Sequence, residues 1–160
     1  MVHYTEYDSP VGKLLLTGNG TALTGVWMNR EAAEGMEPIE DAVLQGAKKW
    51  LDGYFSGRPG EIDFSMEPQG THFQKQVWQI LLSIPYGRTR TYGDIAREMA
   101  LQMHREKMSA QAVGGAVGKN PISILIPCHR CLGAGGRITG YAGGLEKKQW
   151  LLDHEGIRWI

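Results

Sequence analysis

Pro127-Cys128-His129-Arg130-Cys131 gathers both cysteines of a 160-residue chain around an imidazole and a guanidinium. A thiol attacks only as thiolate, and a free cysteine is no more than a few per cent ionised at neutral pH. A reactive one therefore needs a base or a positive local field. His129 and Arg130 could supply either. The apolar run Ile122-Ser123-Ile124-Leu125-Ile126 would bury its backbone and deliver Cys128 at the edge of a core. Downstream, the glycine-rich residues 133–136 and Thr139-Gly140-Tyr141-Ala142-Gly143-Gly144 predict a loop able to fold over a flat or bulky substrate.

Several chemistries fit those residues. Cys128 and Cys131 form a C-x-x-C, the spacing of a redox disulfide or of half a zinc site. Zinc would need two further ligands, and His3, His72, His104 and His154 offer no paired spacing, so no metal is expected. A thioredoxin-type pair starts a helix, which the glycines at 133–136 disfavour. A Cys/His acyl-transfer hydrolase is a third reading. A buried, inert cysteine beside a surface histidine is a fourth.

The elements that must position this cluster can be read from patterning. Hydrophobic residues make up 42% of the chain and charged ones 21%, which is a globular composition. No run reaches the roughly 20 apolar residues of a membrane span, and the amino terminus lacks a signal peptide's basic and apolar regions, which predicts a cytoplasmic protein with no membrane partner. The net charge of zero conceals a segregation: 5 Lys and Arg against 11 Asp and Glu up to residue 70, and 12 against 6 beyond it. The second half is thus expected to face a polyanion.

Lys13-Leu14-Leu15-Leu16-Thr17 and Leu23-Thr24-Gly25-Val26-Trp27, between turn signals, predict an antiparallel meander. From Pro38, the residues Ile39, Val43, Leu44, Ala47, Trp50, Leu51, Tyr54 and Phe55 recur with helical spacing. A short strand is expected at 62–64, and Pro68 and Gly70 mark a linker. Thr71 caps a second helix with Phe73, Val77, Trp78, Leu81 and Leu82 on one face. Thr91-Tyr92-Gly93-Asp94 has capping-box spacing before a third helix that buries Ile95, Ala96 and Met99. Ser109 opens a fourth helix, nearly without bulk, over 110–117. Two short helices in succession within the basic half resemble a helix-turn-helix. The small side chains of the second permit either tight packing on a neighbour or a close approach to a nucleic-acid groove. The fold class expected is α+β, with residues 1–70 as an amino-terminal domain and 71–160 as a mostly helical one.

These residues resemble the O6-alkylguanine-DNA alkyltransferases, or methylated-DNA–protein-cysteine methyltransferases. Ile126-Pro127-Cys128-His129-Arg130 is similar to that family's active-site signature. Asn120-Pro121 precedes it at the family spacing, and Gly140-Tyr141-Ala142-Gly143-Gly144 and Lys148-Gln149-Trp150-Leu151-Leu152-Asp153-His154-Glu155-Gly156 follow. The resemblance is strong over 71–156 and looser before it. It implies an RNase H-like amino-terminal domain followed by a winged helix-turn-helix domain. It also implies a cofactor-free, single-turnover transfer of the alkyl group of O6-alkylguanine, and less well of O4-alkylthymine, onto Cys128.

By the same resemblance, His129, oriented by Glu155 and acting through a water, holds the thiolate. Asn120 ties the active-site turn to the preceding helix, and Tyr92 donates a proton toward the leaving guanine. The partner implied is double-stranded DNA, entered by the second helix of the helix-turn-helix through the minor groove, with the damaged base flipped into a pocket. Substrate or DNA contacts then fall to Tyr92, Gln111, Ala112, Gly114, Arg130, Tyr141, Ala142, Gly143 and Lys148, Arg130 serving the site or a phosphate. A monomer is implied, and binding of several side by side on DNA is left open.

Three positions depart from the family pattern. Gln111 stands where an arginine commonly fills the gap left by the flipped base, Ala142 stands for a frequent serine, and Cys131 for an aliphatic residue. The family's Trp-for-Cys relatives bind alkylated DNA without repair, a version that Cys128 excludes. A DNA-binding regulator is the rival from another class, and it would have no use for Cys128, His129 and Glu155 together.

Overall fold

The computed structural model describes residues 1–160. Its first three strands are β1 (His3–Ser9), β2 (Gly12–Gly18) and β3 (Leu23–Met28), paired antiparallel in the order β1-β2-β3. Ser9 pairs with Gly12 and Leu15 with both Glu6 and Trp27, so β2 is the central strand of the expected meander. Leu14, Leu15 and Leu16 are all buried, which requires cover on both faces of β2 and accounts for its continuous apolar run.

The first helix, α1 (Ala42–Phe55), begins later than its apolar spacing suggests. The Asp41 carboxylate accepts from the Leu44 amide at 3.0 Å and stops the helix there, while the His3 ring holds the other carboxylate oxygen at 2.7 Å. Ile39 is left outside the helix and exposed. The strand expected at 62–64 does not form. Met66 makes the ladder contact instead, with the Leu23 amide donating to the Ser65 carbonyl and the Glu67 amide to that of Leu23, each at 2.8 Å. Phe64 packs at Gly46 on α1, where a Cβ would lie 3.1 Å from its ring.

Residues Met1–Gln69 and Pro121–Ser123 form one compact unit, and Gly70–Asn120 with Ile124–Ile160 form a second. Inclusion of Pro121–Ser123 in the first follows from pairing along β3: the Val26 amide donates to the Pro121 carbonyl at 2.9 Å and the Ser123 amide to that of Val26 at 3.2 Å.

In the second unit, α2 (His72–Leu82) starts with a full capping box between Thr71 and Gln74. Its Val77, Trp78, Ile80 and Leu81 are buried, and the Trp78 indole donates to the Ala116 carbonyl at 2.9 Å. Strand β4 (Arg90–Thr91) leads into α3 (Tyr92–Gln102), whose capping box joins Thr91 and Asp94 through two 3.0 Å bonds. After a turn through His104, Ser109 caps α4 (Ala110–Gly118). Helices α3 and α4 form the helix-turn-helix. Strand β5 (Cys131–Leu132) pairs parallel with β4, and α5 (Leu145–His154) closes the unit. The fold is α+β, a small amino-terminal sheet followed by a mostly helical domain.

Candidate active site

The run into Cys128 is buried as its composition requires, but it is a chain of turns rather than a strand. Ile124 is driven into the left-handed region at φ 73°, a costly conformation for a β-branched residue. The Asn120 amide donates to the Ile126 carbonyl at 2.8 Å and locks this turn to the end of α4. Residues Cys128–Arg130 then form one 3-10 turn, closed by the Cys131 amide bonding back to the Cys128 carbonyl. Replacing Asn120 by Ala leaves the Ile126 carbonyl without its partner in a buried place, and is expected to cost about 1–3 kcal/mol. Chemical denaturation checks this, with a parallel fall in Cys128 reactivity as the turn loosens.

Cys128 lies at the wall of a cavity of about 720 Å³ that Tyr92, Gln111, Gly114, Asn120, Thr139, Tyr141 and Ala142 also line. Such a volume suits one small ligand. Burial pushes the Cys128 thiol up, opposed by hydrogen bonds from Asn120, the charge of Lys148 and a bond from Tyr141. The resting side chain is thus a thiol, and its proton must leave as it attacks. Both cysteines are free, and Cys131 is held up to about 12, chiefly by burial.

His129 is fully buried, against the surface histidine of the inert-cysteine reading. Its Nε2 lies 2.6 Å from Glu155 Oε2. Burial alone would raise Glu155, but His129, Arg130 and the Gly87 amide outweigh it and hold the carboxyl near 2. An ionised carboxylate only accepts, so Nε2 carries the hydrogen and Nδ1 is the basic nitrogen. Desolvation lowers the imidazole's affinity for a proton despite Glu155, and it rests neutral.

Two expected contacts are corrected by burial. Arg130 is 7% exposed and turns inward: Nε and Nη2 donate to Glu155 at 2.8 and 3.2 Å, and Nη1 to the Ile84 carbonyl at 2.8 Å. A guanidinium so engaged supports the site and does not reach a phosphate. Lys148 is 0% exposed and donates from Nζ to the Cys131 carbonyl at 2.8 Å and to those of Thr139 and Gly140 at 3.4 Å, so it holds main chain rather than DNA. Gly143 is buried and Ala112 is exposed on α4, neither lining the cavity, whereas Gln111 and Gly114 do.

Tyr92, the first residue of α3, has its phenol raised, mainly by burial. Thr139 Oγ1 donates to the Tyr92 oxygen at 3.2 Å, leaving the phenolic hydrogen to be given elsewhere. Thr139 and Gly87 are the functional contributors that sequence reasoning missed. Pro85-Tyr86-Gly87 is a helix-stop signal after α2, and the Gly87 amide reaches Glu155 Oε1 at 2.9 Å.

This fold and site define a class: a helix-turn-helix protein with a cavity-facing cysteine backed by a glutamate–histidine pair. Comparison makes the class specific. The family described as 6-O-methylguanine DNA methyltransferase, DNA binding domain, matches residues 72–157, and the ribonuclease-like domain of the same family matches 2–68. A methylated-DNA–protein-cysteine methyltransferase of Mycobacterium tuberculosis (strain ATCC 25618 / H37Rv) is 42% identical over 161 residues, covering 99% of this chain and 94% of the relative. One from Haemophilus influenzae is 42% identical over 167 residues, covering 99% and 89%. The crystal structure of Mycobacterium tuberculosis OGT in complex with DNA superposes with a TM-score of 0.84 at 43% identity, over 96% of this chain and 92% of that one. The chain belongs to the 6-O-methylguanine DNA methyltransferase family.

Proposed function

We propose that the protein repairs O6-alkylguanine in double-stranded DNA, and less well O4-alkylthymine, by moving the alkyl group once and irreversibly onto Cys128. The observation that carries this is the thiol at the wall of a cavity beside α4, with the Glu155–His129 pair behind it. The thiol proton passes to His129 Nδ1 through one water, sulfur bonds to the alkyl carbon, and the carbon–O6 bond breaks. Tyr92 gives its proton to the departing guanine. The thioether product is not cleaved by water, so each molecule acts once and no cofactor takes part.

The target carbon lies inside a stacked base, so the nucleotide must flip into the cavity. Gln111 stands at the cavity's edge on α4, placed to occupy the space the base leaves. A Cβ at Gly115 or Gly118 would meet nothing within 4 Å, so packing does not require glycine there. Their bareness gives α4 a smooth exposed face that suits a minor groove. Division of labour follows: residues 71–160 bind DNA and transfer the group, and residues 1–70 form the amino-terminal domain of a protein that binds as a monomer. The solved relative in complex with DNA supports the DNA partner.

Incubation with a duplex containing one O6-methylguanine, followed by intact mass measurement, tests the reading. The wild type is expected to gain one CH2 per molecule and then stop, and Cys128→Ser to gain nothing while still binding the duplex. An unmodified wild type that binds the duplex would leave the DNA-binding regulator as the better account.

A further inference from the structure

Lys148 is a buried cation that, unlike Arg130, has no carboxylate partner. Its ammonium has three N–H donors and three carbonyls within reach, those of Cys131, Thr139 and Gly140, so its hydrogen bonds are met. Its charge is not met. No carboxylate lies within ion-pair distance of Nζ, and Glu155, the buried carboxylate of the site, is already held by Arg130 and His129. A cation taken out of water without an anion is costly, and carbonyl dipoles offset only part of that cost.

The groups around Nζ narrow the choice of anion. The Tyr92 ring lies 5.9 Å away with its hydroxyl protonated. Lys148 acts on Cys131, Cys128 and His129, and of these the two cysteines act on it in return. Cys131 sits in β5, wholly buried and further coupled to Arg90 and Asp94 across β4, and does not line the cavity. Cys128 does line it. His129 and Arg130 sit on the same turn, the first neutral and the second neutralised by Glu155.

We infer that Lys148 is a positioning residue for alkyl transfer: its ammonium is the counter-charge that receives the Cys128 thiolate as the proton leaves, while its three carbonyl contacts hold the Thr139–Gly140 stretch of the cavity wall against β5. Arg130, which the bare sequence offered for the same task, is too fully paired to serve. The inference rests on Cys128 being the nucleophile. Its test uses iodoacetamide, a small neutral electrophile, so it needs neither DNA nor alkylguanine and its failure is distinguishable from failure of the repair reading.

The rate of Cys128 alkylation by iodoacetamide is measured against pH in the wild type, Lys148→Met and Lys148→Arg. Removal of the charge is expected to move the midpoint upward by about one pH unit or more, as loss of an opposite charge near a titrating group does. Arginine is expected to bring the midpoint back toward the wild type. An unchanged midpoint in a folded Lys148→Met, even with lower thermal stability, would reduce Lys148 to a structural pin and overturn the inference. If Lys148→Met does not fold, the carbon next to Nζ can be followed by NMR in the wild type and in Cys128→Ser. Coupling requires a titration step in the wild type that is missing from the serine variant, and identical curves would overturn the inference equally.

Discussion

Glu155→Gln is expected to lower stability by about 3–5 kcal/mol, the range for removing one partner of a buried ion pair, and to slow alkyl transfer by about 10²–10⁴-fold. Four donors converge on this carboxylate. The Gly87 amide and Arg130 Nε reach Oε1, and His129 Nε2 and Arg130 Nη2 reach Oε2. A glutamine has one oxygen to offer, and its amide nitrogen must face two of those donors without a lone pair. Arg130 is left charged and buried, and the hydrogen on His129 is no longer held at Nε2. Stability falls for the first reason and rate for the second, so denaturant titration and single-turnover kinetics report on separate consequences of one substitution.

The same residue gives the stability curve its acid limb. Glu155 is held near 2 in the folded protein against an ordinary 4.5, so on acidification the unfolded chain takes up its proton first. The stability it contributes is complete above about 4.5 and is lost as pH falls toward 2. His129, whose affinity is depressed by burial, acts in the same direction, and its share is lost below its ordinary value near 6.5. The stability gap between wild type and Glu155→Gln is therefore expected to narrow between pH 4.5 and 2. A gap constant across that window would show that the carboxylate gains nothing from its four donors.

What could be read from the residues alone divides by the range of the interaction. Thr71, Thr91 and Ser109 announce helix starts because a cap is made within three residues, and all three side chains accept the amide expected of them. The start of α1 departs from its apolar spacing for a related reason: Asp41, held by His3 of β1, outranks the run that begins at Ile39. Pairing at a distance left less trace. Arg90 opposite Cys131 is a two-residue ladder, and Pro121–Ser123 joins β3 through backbone groups that every residue carries. Cys128 and His129 stand out because a thiol beside an imidazole is uncommon, whereas Glu155, 26 residues beyond His129, is reached only through the family resemblance. Arg130 is expected from the resemblance to serve the site or a phosphate and Lys148 to contact substrate or DNA, and whether a long cation turns inward depends on what lies opposite, Glu155 in one case and bare carbonyls in the other.

Tyr92→Phe is expected to slow transfer by about 10²–10⁴-fold, the usual yield of a positioned acid, while leaving the fold and duplex affinity nearly unchanged. Burial keeps the phenol protonated at neutral pH, and Thr139, by donating to its oxygen, leaves the hydrogen available toward the cavity. Phenylalanine keeps the ring against Gly114, 3.8 Å from where a Cβ would stand, and removes only the proton. The competing explanation is that the hydroxyl merely props the Thr139 loop. Thr139→Val removes that contact from the other side and is expected to change the rate only a few-fold. The leaving group decides the matter further, since a purine that departs readily as an anion has less need of a proton. The penalty of Tyr92→Phe is expected to shrink as the leaving base becomes more acidic, whereas a loop displaced for steric reasons would slow every substrate alike.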